Sequence, residues 1–167
     1  PGLIVTQHSG SGKSNQMFLR GFNLDHGTDF ATWVDGMPVN MRTHGHGQGY
    51  TDINFLIPET IERMAFVKGP YHAELGDFSS AGGVHIDTFE RLPGQITIGV
   101  GEDGYRRALA MGTLQGASMN LSGAVEGQTY DGPWTDIDED VEKINSLLKL
   151  TGGNDVSTWS ATAMYYD

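Results

Sequence analysis

The residues best suited to chemistry are the six histidines and the acids near them, and His44-Gly45-His46-Gly47-Gln48-Gly49-Tyr50 holds the densest set. In an extended backbone, residues i and i+2 point the same way, so His44 and His46 can present two imidazoles to one cation. The glycines between them remove bulk and let a ligand approach the backbone. Two imidazoles are an incomplete site, because zinc or nickel wants at least one more protein ligand. His26, beside Asp25 and Asp29 in another glycine-bearing loop, completes a His44, His46 and His26 metal set if the loops meet. The bland alternative is a mobile glycine loop whose histidines touch water or a neighbouring carbonyl.

Other patterns carry less. Gly10-Ser11-Gly12-Lys13-Ser14 imitates a phosphate loop, but Gln7 stands where that motif needs its first glycine, and no helical apolar run follows. An exposed turn is the expectation there. Ser79, Ser80, Asp77 and His72 or His85 make a hydrolase triad on paper, without the Gly-x-Ser-x-Gly nucleophile elbow. Glu59 and Glu62 read as caps of a short helix. No constellation requires catalysis, so the chain is expected not to be an enzyme, and no cofactor is expected.

Composition narrows the class. The 21 acids against 10 bases give a formal net charge of −11, which argues against nucleic acid as a partner, since phosphate neutralisation supplies most affinity there. With no cysteine, disulfides, thiol nucleophiles and cysteine zinc sites are excluded. Glycine is abundant, 24 of 167 residues, and lacks a collagen period. Together with aromatics and few charges, it points to a β-protein rich in turns and bulges. No apolar run is long enough for a transmembrane helix, whereas a membrane β-barrel would show none. The start at Pro1, without methionine or signal peptide, reads as a mature or truncated one.

The elements that must position these residues change character near Pro93. Before it, short strands are expected at Ile4-Val5, 16–20, 32–35 and 84–87, with a hairpin turn at Asp35-Gly36. Pro58-Glu59-Thr60-Ile61-Glu62-Arg63-Met64 reads as a helix of a turn or two. After Pro93, two-residue alternation predicts five antiparallel strands: 95–100, 105–114, one around 118–126, 141–151 and 157–166. The turns are expected at Glu102-Asp103-Gly104, Gln115-Gly116 and Gly152-Gly153-Asn154-Asp155, with a long acidic loop over 127–140. The lipid-facing row of a membrane barrel would be Ile96, Ile98, Val100, Leu109, Met111, Met119, Leu121 and Val125. Arg107, in register with Leu109, is then an exception near a hairpin end. A soluble β-sandwich or lipocalin-like barrel alternates in the same way. Five strands close no barrel, so either reading leaves unpaired edges.

Four further motifs occur in a telling order. They are Phe18-Leu19-Arg20-Gly21-Phe22, Val34-Asp35-Gly36-Met37-Pro38-Val39, Ile61-Glu62-Arg63-Met64-Ala65-Phe66-Val67-Lys68-Gly69-Pro70 and Ser80-Ala81-Gly82-Gly83-Val84-His85-Ile86-Asp87-Thr88. In this series the chain resembles the TonB-dependent outer-membrane receptors. The resemblance implies an α+β plug domain over 1–92, a small mixed sheet with short helices truncated at its N-terminus. It implies that 93–167 are the first five antiparallel β-strands of an incomplete 22-stranded transmembrane β-barrel in the bacterial outer membrane.

The resemblance also implies a function. The parent would be a receptor for energy-coupled uptake of a metal chelate, by default a ferric siderophore, with cobalamin, haem, metal or sugar as other cargoes of such receptors. Its partners would be that substrate, outer-membrane lipid and the TonB complex of the inner membrane, whose contact segment is missing here. The apical plug loops would be 23–29 and 42–52. Asp25, His26, His44, His46, Gln48 and Tyr50 would then face substrate. Arg20 and Lys68 would lock plug to barrel by pairing with acids of the inner wall, where one-sided loss of a buried partner is costly. Lys68 stands where arginine is also common, so a bidentate fork is not assured at that position. The short turns at Gln115-Gly116 and 152–155 would be periplasmic, and 102–104 and 127–140 extracellular. The alternative is a soluble, acidic, β-rich metal-binding module that uses the His26, His44 and His46 loops.

Overall fold

The computed structural model describes residues 2–7, 10–24 and 26–167, and Asp25 of the expected binding set lies outside them. The chain divides into two compact units. Unit 1 comprises residues 1–53 and 61–88, and unit 2 comprises 54–60 and 89–167.

Unit 1 holds two small sheets. Strands β1 (Leu3–Thr6), β2 (Gln16–Leu19) and β3 (Phe22–Asn23) form an antiparallel sheet in that order. Strands β4 (Phe30–Val34), β5 (Met37–Pro38), β6 (Ile61–Lys68) and β7 (Gly82–Thr88) form a mixed sheet ordered β5-β4-β7-β6, in which β4 and β7 run parallel. The Asp35-Gly36 hairpin forms as its sequence predicts, with both residues at positive φ (46° and 79°), the requirement of a type I′ turn. The Asp35 carboxylate accepts the Thr88 backbone N–H at 2.8 Å and its hydroxyl at 2.7 Å, tying the hairpin to the end of β7. Met17, Leu19, Leu24, Phe30, Ala31, Val34, Leu75, Ala81, Val84 and Ile86 are the buried apolar residues of unit 1 among those described.

One expected element is replaced by two others. Pro58–Thr60 is a single 3-10 turn, and Ile61–Lys68 is a strand rather than the continuation of a helix. Proline starts the turn as expected, and the Thr60 hydroxyl bonds back to the Ile57 carbonyl at 2.7 Å. Beyond it, antiparallel pairing along β7 from Ile61↔Thr88 to Lys68↔Gly82 satisfies the backbone and overrides the local helical signal. A second 3-10 turn covers Ala73–Leu75. The expected short helices are thus turns of three residues, and no α-helix occurs among the described residues.

Unit 2 is an antiparallel meander of β8 (Gln95–Val100), β9 (Arg106–Gln115), β10 (Met119–Tyr130), β11 (Val141–Gly153) and β12 (Thr158–Tyr166), with β8 and β12 at its edges. The Asn154 side chain accepts the Val156 and Ser157 N–H groups at 3.0 Å each, closing the last hairpin.

The register corrects one assignment of faces. Ile98 lies opposite Ala108, and Gly99 opposite Arg107, so Ile96, Ile98 and Val100 share a face with Arg106, Ala108 and Ala110. Leu109 and Met111 point to the other side. They are 2% and 9% exposed, against 79–81% for Ile96, Ile98 and Val100. They pack with Ile57, Leu92, Ala124 and Leu147. Both faces of β9 carry apolar residues, so alternation within the strand leaves its orientation open, and a one-residue difference in register reverses it. Arg107 shares the buried face with Leu109 and ceases to be an exception.

Candidate functional site

Two loops of unit 1 bring the histidines together. In the first, which carries His26, the Gly27 and Thr28 N–H groups donate to the Leu24 carbonyl at 2.7 and 2.6 Å. The second, 41–51, is closed by the isolated Met41↔Tyr50 bridge, with Met41 N–H to Tyr50 O at 2.8 Å and Gly49 N–H to Met41 O at 2.7 Å. The Thr51 N–H donates to the His26 carbonyl at 2.8 Å and joins the loops. Gly49, at φ 80°, cannot be replaced easily, since a Cβ there would stand 2.6 Å from the Phe78 ring and 2.9 Å from the Thr28 carbonyl.

Asn40 staples the arrangement. Its amide donates to the carbonyls of Gly27, Phe30 and Gly49 at 2.9–3.1 Å, and its oxygen accepts the Thr32 N–H at 2.7 Å. Sequence reasoning passed over it, because an asparagine after Pro-Val in a glycine-rich stretch looks like any turn residue. Its four bonds satisfy both loops and the start of β4 at once.

The result is a ring cluster. The His44 and Tyr50 rings stack at 4.0 Å with planes 10° apart. His26 meets His46 edge to face at 4.6 Å, and Tyr50 lies 6.0 Å from both. His26 is buried, and its Nδ1 sits 2.8 Å from the Ser14 carbonyl, so the proton is on Nδ1. His44 Nδ1 instead accepts the His46 backbone N–H at 3.1 Å, which puts a neutral ring's proton on Nε2. His44, His46 and Gln48 are exposed. Among the described residues no three His, Asp or Glu side chains converge as a ready metal site. Ligation through His44 Nε2 would first require its loop hydrogen bond to break.

The remaining candidates stand apart. Ser14, from the imitation phosphate loop, spends its hydroxyl on the Thr51 carbonyl and its own carbonyl on His26, which makes it a support of the cluster. The paper triad does not assemble: Ser79 bonds the Gly76 carbonyl, Ser80 bonds Asp29, His72 faces Glu74 and His85 stacks on Trp33. Arg20 is exposed in the β2–β3 turn at φ 52°. Lys68 is exposed at the end of β6, with Nζ 6.0 Å from the centre of the Phe66 ring.

Unit 2 contains an ionic cluster that sequence reasoning missed. Arg107 grips Glu59 with two parallel bonds of 2.6 and 2.7 Å and bonds Glu126 through Nε at 2.7 Å. Lys143 closes on the other Glu126 oxygen at 3.0 Å. The hydrogen bonds from Arg107 hold the Glu59 carboxyl below the usual glutamate range, against the opposing effect of burial. Glu59 is thus an ion-pair partner and not the helix cap that Pro58-Glu59-Thr60 suggests. The signal that could have found it is Arg107 itself, a cation in an otherwise alternating strand that demanded a partner.

The plug-like sheet, the loop cluster and the five-stranded meander define one class of protein. Residues 1–84 match the model of the TonB-dependent Receptor Plug Domain family, and the chain belongs to that family. It is therefore a bacterial outer-membrane protein, of a family of receptors and transporters rather than enzymes. Among curated relatives, the vitamin B12 transporter BtuB of Vibrio vulnificus is 28% identical over 177 residues, covering 100% of this chain and 28% of its own length. Among solved structures, the copper transporter OprC superposes with a TM-score of 0.71 at 18% identity, covering 100% of this chain and 26% of that one. The ferric enterobactin receptor PfeA of Pseudomonas aeruginosa gives 0.65 at 18% identity, over 99% of this chain and 29% of that one. The chain thus spans little more than a quarter of the length of the relatives it matches.

Proposed function

We propose that the chain is the plug, residues 1–92, and the first five strands, residues 93–167, of a 22-stranded TonB-dependent receptor that takes up a metal chelate across the outer membrane. Ferric siderophore is the default cargo. The energy comes through the TonB complex of the inner membrane. The cargo meets the loops holding His26, His44, His46, Gln48 and Tyr50, and Asp25, next to His26 in sequence, belongs to the same expected set. Arg20 and Lys68 lock the plug by pairing with acids of the barrel wall.

The observation that carries this reading is the gathering of three imidazoles and a phenol from two separate loops. A stacked His44–Tyr50 pair next to an edge-on His46 offers flat aromatic surface and polar edges to a chelate. His26 underneath holds its proton on Nδ1 through a backbone carbonyl, the arrangement that orients a metal-facing imidazole. Lower-affinity contact with a free cation would need His44 to give up its loop hydrogen bond. A soluble metal-binding module is not favoured, because the apolar face with Ile96, Ile98, Ala110, Val125 and Leu148 has no covering layer in the meander.

Calorimetric titration of the intact receptor in detergent tests the assignment, using copper, zinc and nickel salts beside a ferric-siderophore mixture. The variant for comparison is His44→Ala with His46→Ala, which leaves the buried His26 in place. Loss of binding of one probe, with the fold intact, supports the loops as the cargo surface. Undiminished binding of every probe that binds the parent would remove them from it.

A further inference from the structure

Residues 54–60 fall within the stretch matched by the plug family, yet they pack with the meander. The chain leaves unit 1 after residue 53 and returns to it at residue 61. Within unit 2 the segment is held at four places. The Asn54 carbonyl accepts the Asn145 side-chain amide at 2.8 Å. Ile57, 2% exposed, enters the apolar cluster of Leu92, Leu109, Met111, Ala124 and Leu147. Glu59 is gripped by Arg107 at 2.6 and 2.7 Å. The Thr60 carbonyl accepts the Phe89 N–H at 3.0 Å.

The charges are matched as well. Two carboxylates, Glu59 and Glu126, face two cations, Arg107 and Lys143, on a face where Glu126 is 1% exposed. Taking Glu59 away leaves two cations sharing one carboxylate. One-sided removal of a partner from such a cluster is the costly change, whereas the intact set is neutral. The arginine fork also fixes direction, since two parallel bonds to one carboxylate tolerate little rotation.

We propose that segment 54–60 is a wall anchor, which stays on the buried face of β9–β11 when the rest of the plug opens, with Glu59 and Arg107 as its positioning residues. The polarity is opposite to a lock of plug cations on wall carboxylates: here the plug side supplies the acid and the wall the arginine. Opening of the plug would then part at the junctions 53/54 and 60/61, with 1–53 and 61–88 held to each other by the β4–β7 pairing while 54–60 stays as a fixed point. The anchor rests on the plug-and-barrel reading proposed above, but not on which cargo is carried.

Hydrogen exchange read by mass spectrometry, on the intact receptor in detergent at urea concentrations that open the plug, decides it. Amides of 54–60 are expected to exchange with those of β9–β11, and those of 61–88 at least about tenfold faster. Glu59→Gln is expected to bring 54–60 to the plug rate, while Glu62→Gln, on the exposed side of β6, leaves it unchanged. Exchange of wild-type 54–60 in step with 61–88 would overturn the anchor. Continued protection in Glu59→Gln would overturn the role of the ion pair. The wild-type profile stands by itself should that variant fail to assemble.

Discussion

At the scale of single residues, His26 and His44 show that neighbouring imidazoles in one cluster do different work. His26 is buried, and its Nδ1–H is what satisfies the Ser14 carbonyl. Removing it leaves a cavity and an unpartnered acceptor, so His26→Ala should destabilise the plug by about 1–3 kcal/mol in denaturant unfolding of the receptor. His44→Ala, on the exposed side, should change that midpoint little. Glu59 has a pH signature of its own. Its carboxyl is held below the ordinary value of 4.5 by Arg107, with Lys143 adding to the effect and Glu126 on the far side of the guanidinium. A depressed folded pKa contributes stability that is fully present above 4.5 and is lost as pH falls through the lower folded value. Protection of 54–60, corrected for intrinsic exchange, should therefore hold from neutral pH to about pH 5 and weaken only below that.

At the scale of elements, the strands of unit 1 depend on places where no side chain fits. Gly82 sits at φ 134°, and a Cβ there would approach the Val67 carbonyl to 2.1 Å, inside the pairing of β6 with β7. Gly83 is flanked by the Ala31 carbonyl across the parallel β4–β7 pair. Gly82→Ala combines backbone strain with a steric conflict, and a loss of about 3 kcal/mol or more is expected, read as a lowered plug unfolding midpoint with the barrel transition unmoved. Much of this was legible from the residues. The hairpin at Asp35-Gly36, the strands around it and all five strands after Pro93 followed from turn chemistry and two-residue alternation. The strand at Ile61–Lys68 was only half legible, because Pro58 and two glutamates imitate a helix start and its partner β7 lies far along the chain.

At the scale of the whole molecule, the apolar face of the meander has a consequence in the membrane. Ile98, Ala110, Val125 and Leu148 lie on the face turned away from Leu109 and Met111. Because the chain has no cysteine, single Ile98→Cys, Leu148→Cys and Leu109→Cys substitutions in a receptor made cysteine-free can be compared directly. A maleimide carried in the lipid phase should label the first two and spare the third. Leu148→Arg should cost about 2–4 kcal/mol of barrel stability if that position lies near the bilayer midplane, measured by reversible unfolding in lipid.

The residues by themselves determined the change of pattern near Pro93, the β-rich class, the family resemblance and the two loops that carry the histidines. These are local properties: composition, alternation, turn residues and ordered motifs are all written within a few positions of one another. Tertiary structure decided which face of β9 is buried, because the hairpin register and not the strand's own pattern sets it. It decided that Asn40 and Ser14 support the ring cluster, since their partners lie between 8 and 37 positions away in sequence. It also decided that Glu59, 48 residues from Arg107, is bound to β9 instead of capping a helix. Long-range partnership of polar groups leaves no periodic trace in a sequence, and only folding brings such partners within bonding distance.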